Sequence, residues 1–136
     1  MSVIKNSGFD SGNENWWNSK LEILRGYRFN IALENTLWKY YVSEKIWHSI
    51  KAGCLPIYWG MDSSIYDTFS KDSFIDASEF NNSNDLIDFA VNMSYESWRE
   101  RMERCIKIYN DSMMKMNYNK FDEAIDKFFE RIKKKD

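Results

Sequence analysis

The sequence predicts an α/β domain, a parallel sheet flanked by helices, and three observations carry that prediction. Residues 29–33 alternate Phe29, Ile31 and Leu33 with Asn30 and Ala32, the period of a strand. Val42, Ile46 and Ile50 then recur every four positions between Ser43, a suitable N-cap, and Gly53, a suitable C-terminal stop, which predicts a helix of about ten residues. Leu55-Pro-Ile-Tyr-Trp59 is an apolar run bounded by Gly53 and Gly60, a second strand whose proline lies near the start, where a missing N–H is tolerated. A strand-helix-strand crossover of this kind is right-handed almost without exception and makes its strands parallel.

The remaining elements follow in chain order. Val3-Ile4 reads as a short strand remnant, and the Gly, Asn, Ser and Asp residues up to position 15 read as loop. Trp17, Leu21 and Leu24 share one helical face, with Gly26 just past the end, so a short helix precedes the strand at 29–33. Beyond Gly60, a helical turn spans Ile65 to Phe69 and a short strand falls at Phe74-Ile75. A helix from Leu86 to Met93 follows a Ser83/Asn84 cap. This alternation fits a Rossmann-like sheet. After Ser94 no strand pattern remains. Tyr95, Trp98, Met102, Cys105, Ile106 and Tyr109 recur at helical spacing, as do Phe121, Ile125, Phe128, Phe129 and Ile132, so two amphipathic helices with core-facing stripes close the chain. Lys133, Lys134 and Lys135 read as a solvated helix C-terminus.

Composition narrows the function. With 136 residues, 43% of them hydrophobic, and six Trp, eight Tyr and nine Phe, the chain has material for one aromatic core. No repeat, linker or boundary divides it, so residues 1–136 read as a single domain. A net charge of −2 excludes a generic nucleic-acid binder, which needs a broad basic surface. Cys54 and Cys105 stand far apart beside a single histidine, a pattern of buried thiols, neither a zinc site nor a disulfide framework. No apolar run approaches the ~20 residues of a membrane span and the N-terminus lacks a signal-peptide core, so the chain as given reads as soluble.

In a parallel α/β sheet, ligands bind outside the carboxyl ends of the strands, and the loop after the first major strand carries Glu34 and Asn35. A helix starting near Ser43 would aim backbone N–H groups at the same crevice, a setting suited to phosphate, and Lys45 adds a positive charge. Glu34 and Glu44 are the candidate carboxylates at this crevice. Each residue taken alone has an ordinary structural reading: Glu44-Lys45 as a solvated helix start, Glu34-Asn35 as a turn, Tyr41 as core. His48 reads as a helix-face residue, and no Asp-x-Asp metal mark occurs.

The conjunction is more specific than its parts. Tyr27-Arg-Phe-Asn-Ile-Ala-Leu-Glu-Asn-Thr36, then Tyr41-Val-Ser-Glu-Lys45, then Gly53-Cys-Leu-Pro-Ile-Tyr-Trp-Gly60 resembles, in order and spacing, the donor-binding signature of the α-1,3-fucosyltransferases, glycosyltransferase family 10. Thr36 and Ser43 stand where Ser and Thr are usual, and Leu37-Trp38 replaces a more polar gap. The resemblance extends from about Tyr27 to Met93.

The resemblance implies the C-terminal, donor-binding lobe of a GT-B-type enzyme that binds GDP-fucose for inverting transfer of fucose to a glycan hydroxyl of the N-acetyllactosamine or lactose type. It implies that Asn35, Tyr41, Glu44 and Lys45, with Glu34 beside them, form the donor site. Lys45 would hold the diphosphate and Glu44 the sugar or ribose hydroxyls, the two together stabilising the transition state. No metal or other cofactor is obligatory. The general base, the acceptor surface and a phosphate-binding arginine belong to an N-terminal domain that is missing from this sequence, and Arg28 is no evident substitute, so the chain is expected to be incomplete as a standalone enzyme. The alternatives are a non-catalytic nucleotide-sugar module, either a remnant or half of a split enzyme, and a docking domain presenting Trp16, Trp17 and Trp38. A bacterial or viral member is expected in the cytoplasm or peripherally on a membrane, a eukaryotic fragment in the Golgi.

Overall fold

The computed structural model describes residues 4–6, 16–35, 41–60 and 64–133, with side chains for 19–35, 41–60, 64–115 and 124–133. Trp16, Trp17 and Trp38, the expected docking aromatics, fall outside the described side chains, and Lys134 and Lys135 lie outside the described residues. Four parallel strands pair in sequence order: β1 (Ile4–Asn6), β2 (Phe29–Leu33), β3 (Leu55–Trp59) and β4 (Ile75–Asp76). The register sets Phe29 opposite Leu55, Leu33 opposite Trp59 and Ile57 opposite Ile75. Helices α1 (Trp16–Leu24) and α2 (Lys45–Lys51) form the crossovers, and α3 (Ser83–Val91) and α4 (Tyr95–Lys133) follow the sheet. The fold is the expected α/β parallel sheet with flanking helices.

Strand β3 is buried from Leu55 to Tyr58, the continuous apolar run of a parallel strand covered on both faces. For the same reason Asn30 and Ala32, on the second face of β2, are as buried as Phe29. Asn30 is a polar side chain in this core, and its Nδ2 donates to Ser49 Oγ at 2.7 Å while Ser49 Oγ donates to the Lys45 carbonyl at 3.0 Å. That chain of bonds ties β2 to α2. Aromatic rings pack the same face of the sheet: Phe74 meets Tyr58 at 5.9 Å and Phe69 at 6.0 Å between centroids, and Trp47 of α2 meets Phe69 at 5.0 Å.

Helix ends follow the expected residues at some points and not at others. Gly53 has φ +81°, the left-handed conformation that stops a helix, and the Cys54 N–H returns to the Ser49 carbonyl at 2.9 Å. At the other end of α2 the cap position belongs to Glu44, whose backbone is already helical. Ser43 was expected there, but its hydroxyl is drawn to Glu34, as described below, and the helix is seven residues long. Helix α3 likewise begins earlier than expected. Its cap is Asn82, whose side-chain oxygen accepts from the Asp85 N–H at 2.9 Å, in place of Ser83/Asn84.

The two expected closing helices are one helix of 39 residues. Nothing between Tyr95 and Lys133 is Gly or Pro, so the polar stretch Asn110-Asp111-Ser112 costs the helix too little to break it. The first half carries part of the expected core face: Met102 and Cys105 are buried, Trp98, Ile108 and Tyr109 pack with that core, and Trp98 Nε1 donates to the Arg28 carbonyl at 2.9 Å, whereas Tyr95 and Ile106, expected on the same face, are exposed. The second half does not. Phe128 and Phe129 are 59% and 56% exposed, with Ile125 and Ile132 also exposed among the described residues. A helix of this length runs ~58 Å, whereas the five-residue strands it crosses run ~17 Å, so its end must pass beyond the sheet. No helix among the described residues is long and apolar enough to cross a membrane.

Candidate functional site

The carboxyl ends of β2 and β3 are locked together one residue past their last pair, because the Glu34 N–H donates to the Trp59 carbonyl at 2.8 Å. This places the Glu34 side chain beneath the crevice, only 5% exposed. Its Oε1 accepts from both the Ser43 N–H, at 2.9 Å, and the Ser43 hydroxyl, at 3.0 Å. Ser43 Oγ in turn accepts from the Lys45 N–H at 3.3 Å, and the Lys45 ammonium donates back to the Leu33 carbonyl at 2.8 Å. An ammonium has three donors, so this contact leaves two for a ligand at the strand end.

Gly60 completes the floor. A Cβ there would lie 2.5 Å from Tyr58 Oη and 3.1 Å from Glu34 Cγ, so a side chain would displace one or both. Its place in the sequence pattern therefore has a steric cause.

The structure brings Glu34 and Lys45 together through Ser43 and sets Asn35 and Tyr41, both exposed, at the two ends of the loop between them. Glu44 goes elsewhere. Consecutive residues at a helix start point about 100° apart. Glu44 accordingly lines a groove of about 470 Å³ between α2 and α4, with Trp47 and His48 on one side and Tyr109 and Met113 on the other, and Lys45 has no part in that lining. Glu34, Asn35, Tyr41, Glu44 and Lys45 thus lie between the end of β2 and the first turn of α2, and Glu44 and Lys45 both act on Lys20 of α1. Arg28 is at the opposite, N-terminal end of β2, its guanidinium 5.4 Å from the Trp98 ring.

Some groups near the site had no sequence signal. Lys20 of α1 is buried, with Nζ 3.4 Å from His48 Nδ1, and burial lowers its pKa against the opposing pull of Glu44. Ser43 was read as a cap and acts as a bridge. At the end of β4, Asp76 accepts from the Tyr66 hydroxyl and from Ser78 N and Oγ, at 2.9 and 2.6 Å. Burial and that carboxylate raise the Tyr66 pKa.

Burial holds the His48 imidazole down at about 4, assisted by Lys20 and Lys51 and opposed by Glu44. The unfolded chain takes up this proton near 6.5 and the folded chain only near 4, so the unfolded state holds more protons between those values. Stability therefore falls as the pH drops through that window. Solvent screening of a half-exposed ring trims the loss to roughly 1–2 kcal/mol. Urea unfolding from pH 7.5 to 4 should show this slope, flattened in His48→Gln; equal slopes in the two proteins would remove His48 from the account.

Residues 6–132 match the family model described as glycosyltransferase family 10 (fucosyltransferase) C-term. The chain belongs to glycosyltransferase family 10. The match runs well past Met93, so the long closing helix is part of the family 10 domain as well. Among curated relatives, an alpha-(1,3)-fucosyltransferase of Helicobacter pylori is 36% identical over 88 residues, which are 65% of this chain and 17% of the relative. Alpha-(1,3)-fucosyltransferase 7 of Rattus norvegicus is 30% identical over 102 residues, 69% of this chain and 27% of the relative. A crystal structure of an alpha1,3-fucosyltransferase with GDP aligns with a TM-score of 0.54 at 30% identity, covering 71% of this chain and 27% of that one. The GDP-fucose complex aligns at 0.53 and 28% identity, covering 71% and 27%. The chain thus spans about a quarter or less of the length of these relatives. It is a family 10 domain of the fucosyltransferase type, with the GT-B-type α/β fold of those structures.

Proposed function

We propose that this domain binds GDP-fucose at the carboxyl ends of β2 and β3 and supplies the donor half of an inverting fucosyl transfer to a glycan hydroxyl, of the N-acetyllactosamine or lactose type. The observation that carries the reading is the Lys45 ammonium, tethered to the Leu33 carbonyl beside Asn35 with donors to spare. The GDP and GDP-fucose complexes of similar structures support it. In the reaction the acceptor oxygen bonds to the anomeric carbon as the bond from that carbon to the β-phosphate oxygen breaks. A base takes the acceptor proton, and GDP leaves with the bonding pair. Charge grows on the diphosphate, and a cation already in place lowers that barrier. At seven residues α2 contributes only a small dipole, so the positive charge comes from Lys45 and no metal is obligatory. Asn35 and Tyr41 contact the donor from the loop, and Glu44 holds its hydroxyls from the groove side.

The base and the acceptor surface come from outside these 136 residues, and the chain alone binds the donor without transferring it. The small share of the relatives' length that the chain spans also favours a second reading, a nucleotide-sugar module without catalysis. Calorimetry with GDP and GDP-fucose, followed by a transfer assay on lactose, tests both readings. A folded chain that binds neither nucleotide would overturn them, and fucose transfer by the chain alone would overturn the division of labour.

A further inference from the structure

Glu34 stands among the donor-site residues, yet its carboxylate is turned inward. One oxygen accepts both donors of Ser43, and the other, Oε2, is buried with no hydrogen-bond partner among the described residues. We propose that Glu34 is a positioning residue: its carboxylate clasps Ser43, holds the end of β2 against the start of α2, and fixes where Lys45 stands, without itself touching the ligand. This assignment rests on the donor-site reading for its effect on GDP, and on the geometry alone for the clasp.

The path from Glu34 to Lys45 is continuous. Glu34 is placed by its own N–H on the Trp59 carbonyl and by the space that Gly60 leaves beside its Cγ. Ser43 gives its hydroxyl proton to Glu34 and uses the same oxygen to accept the Lys45 N–H. The Lys45 ammonium then returns to Leu33, next to Glu34 in the chain. The loop is therefore pinned at its base twice, between residues 34 and 43 and between 33 and 45. Holding its two ends together restricts Asn35 and Tyr41 before any ligand arrives, the preorganisation that reduces the entropy lost on binding. The task needs an acceptor oxygen at this position, since both Ser43 groups donate.

Two measurements test the clasp. In amide hydrogen exchange, Glu34→Ala should speed exchange at Ser43 about tenfold or more while β2 and β3 keep their protection, and Glu34→Gln, which keeps an acceptor oxygen for Ser43, should stay close to wild type. Unchanged Ser43 exchange in Glu34→Ala would overturn the clasp. In GDP titrations, Glu34→Ala should weaken binding about tenfold in the wild-type background and less than about twofold in a Lys45→Ala background. Equal weakening in both backgrounds would mean that Glu34 does not act through Lys45, and the proposal would fail. If Glu34→Ala does not fold, Ser43→Ala removes the hydroxyl bond to Glu34 and the acceptor for the Lys45 N–H while the backbone bond stays, so it is read in the GDP titrations, where unchanged binding would overturn the proposal. If the wild-type chain binds no GDP, the donor-site reading fails, and Ser43 exchange still decides the clasp.

Discussion

Lys45→Ala is expected to weaken GDP binding by roughly 10- to 100-fold while leaving the melting temperature within about 2 °C of wild type. The two halves of that expectation have separate causes. Among the described residues the Lys45 ammonium makes a single bond, to the Leu33 carbonyl at 2.8 Å, in an exposed setting where water replaces it readily. Removing it costs the fold little. With a diphosphate present, the same ammonium makes charge-assisted bonds worth about 1.5–3 kcal/mol, and their loss gives the stated factor. Titration calorimetry on the two proteins measures it. Unaltered GDP affinity in the variant would remove Lys45 from the donor site and with it the main support for that site's location.

Phe74→Ala is expected to cost about 3–5 kcal/mol of folding stability, the usual range for deleting a buried phenyl ring. Phe74 is 1% exposed and stands where three aromatic contacts meet: Tyr66 at 5.6 Å, Tyr58 at 5.9 Å and Phe69 at 6.0 Å. All three contacts are to the Phe74 ring, so deleting it takes a partner from each neighbour. Domains of this size have about 5–15 kcal/mol in total, so the variant should be largely unfolded well below the wild-type denaturation midpoint. Its backbone carbonyl keeps the Arg101 contact, so the loss reports the ring. A urea midpoint shift equivalent to less than about 1 kcal/mol would show that the cluster is not packed as described.

The parts of this fold that were legible in the sequence are those decided locally. The alternation in 29–33, the apolar run at 55–59 and the glycine at 53 each fix their own conformation, and the strands and helix stop follow. The helix starts were misplaced because capping is a competition. The Ser43 hydroxyl donates to Glu34 and still accepts from the Lys45 N–H, while the Glu44 backbone is the one at the helix boundary, and at 82–84 three polar residues in a row are all chemically able to cap. The break expected in α4 came from the polar residues between two apolar stripes. Without Gly or Pro, such a gap is only the solvent side of a continuing helix. At the site, the pattern names residues that lie close together in the fold but not the direction of each side chain. Glu34 and Asn35 are adjacent in sequence, one buried and one exposed, and Glu44 and Lys45 part company at the first turn of α2. Lys20 is invisible to sequence reasoning because its burial depends on how α1 settles against α2.

The two cysteines give the molecule a pair of internal clocks. Cys54 is shut in with Leu21, Leu24 and Ala52 beneath α1, whereas Cys105 lies in the main core under α4. Burial lifts both thiols to about 12, so neither is a thiolate at pH 8 until its surroundings open. Alkylation at each therefore counts a different opening: α1 lifting away for Cys54, α4 leaving the sheet for Cys105. The cluster around Cys54 is the smaller, so mass spectrometry of a labelling time course should show that thiol modified first. Simultaneous modification would mean that α1 and the sheet come apart as a single unit.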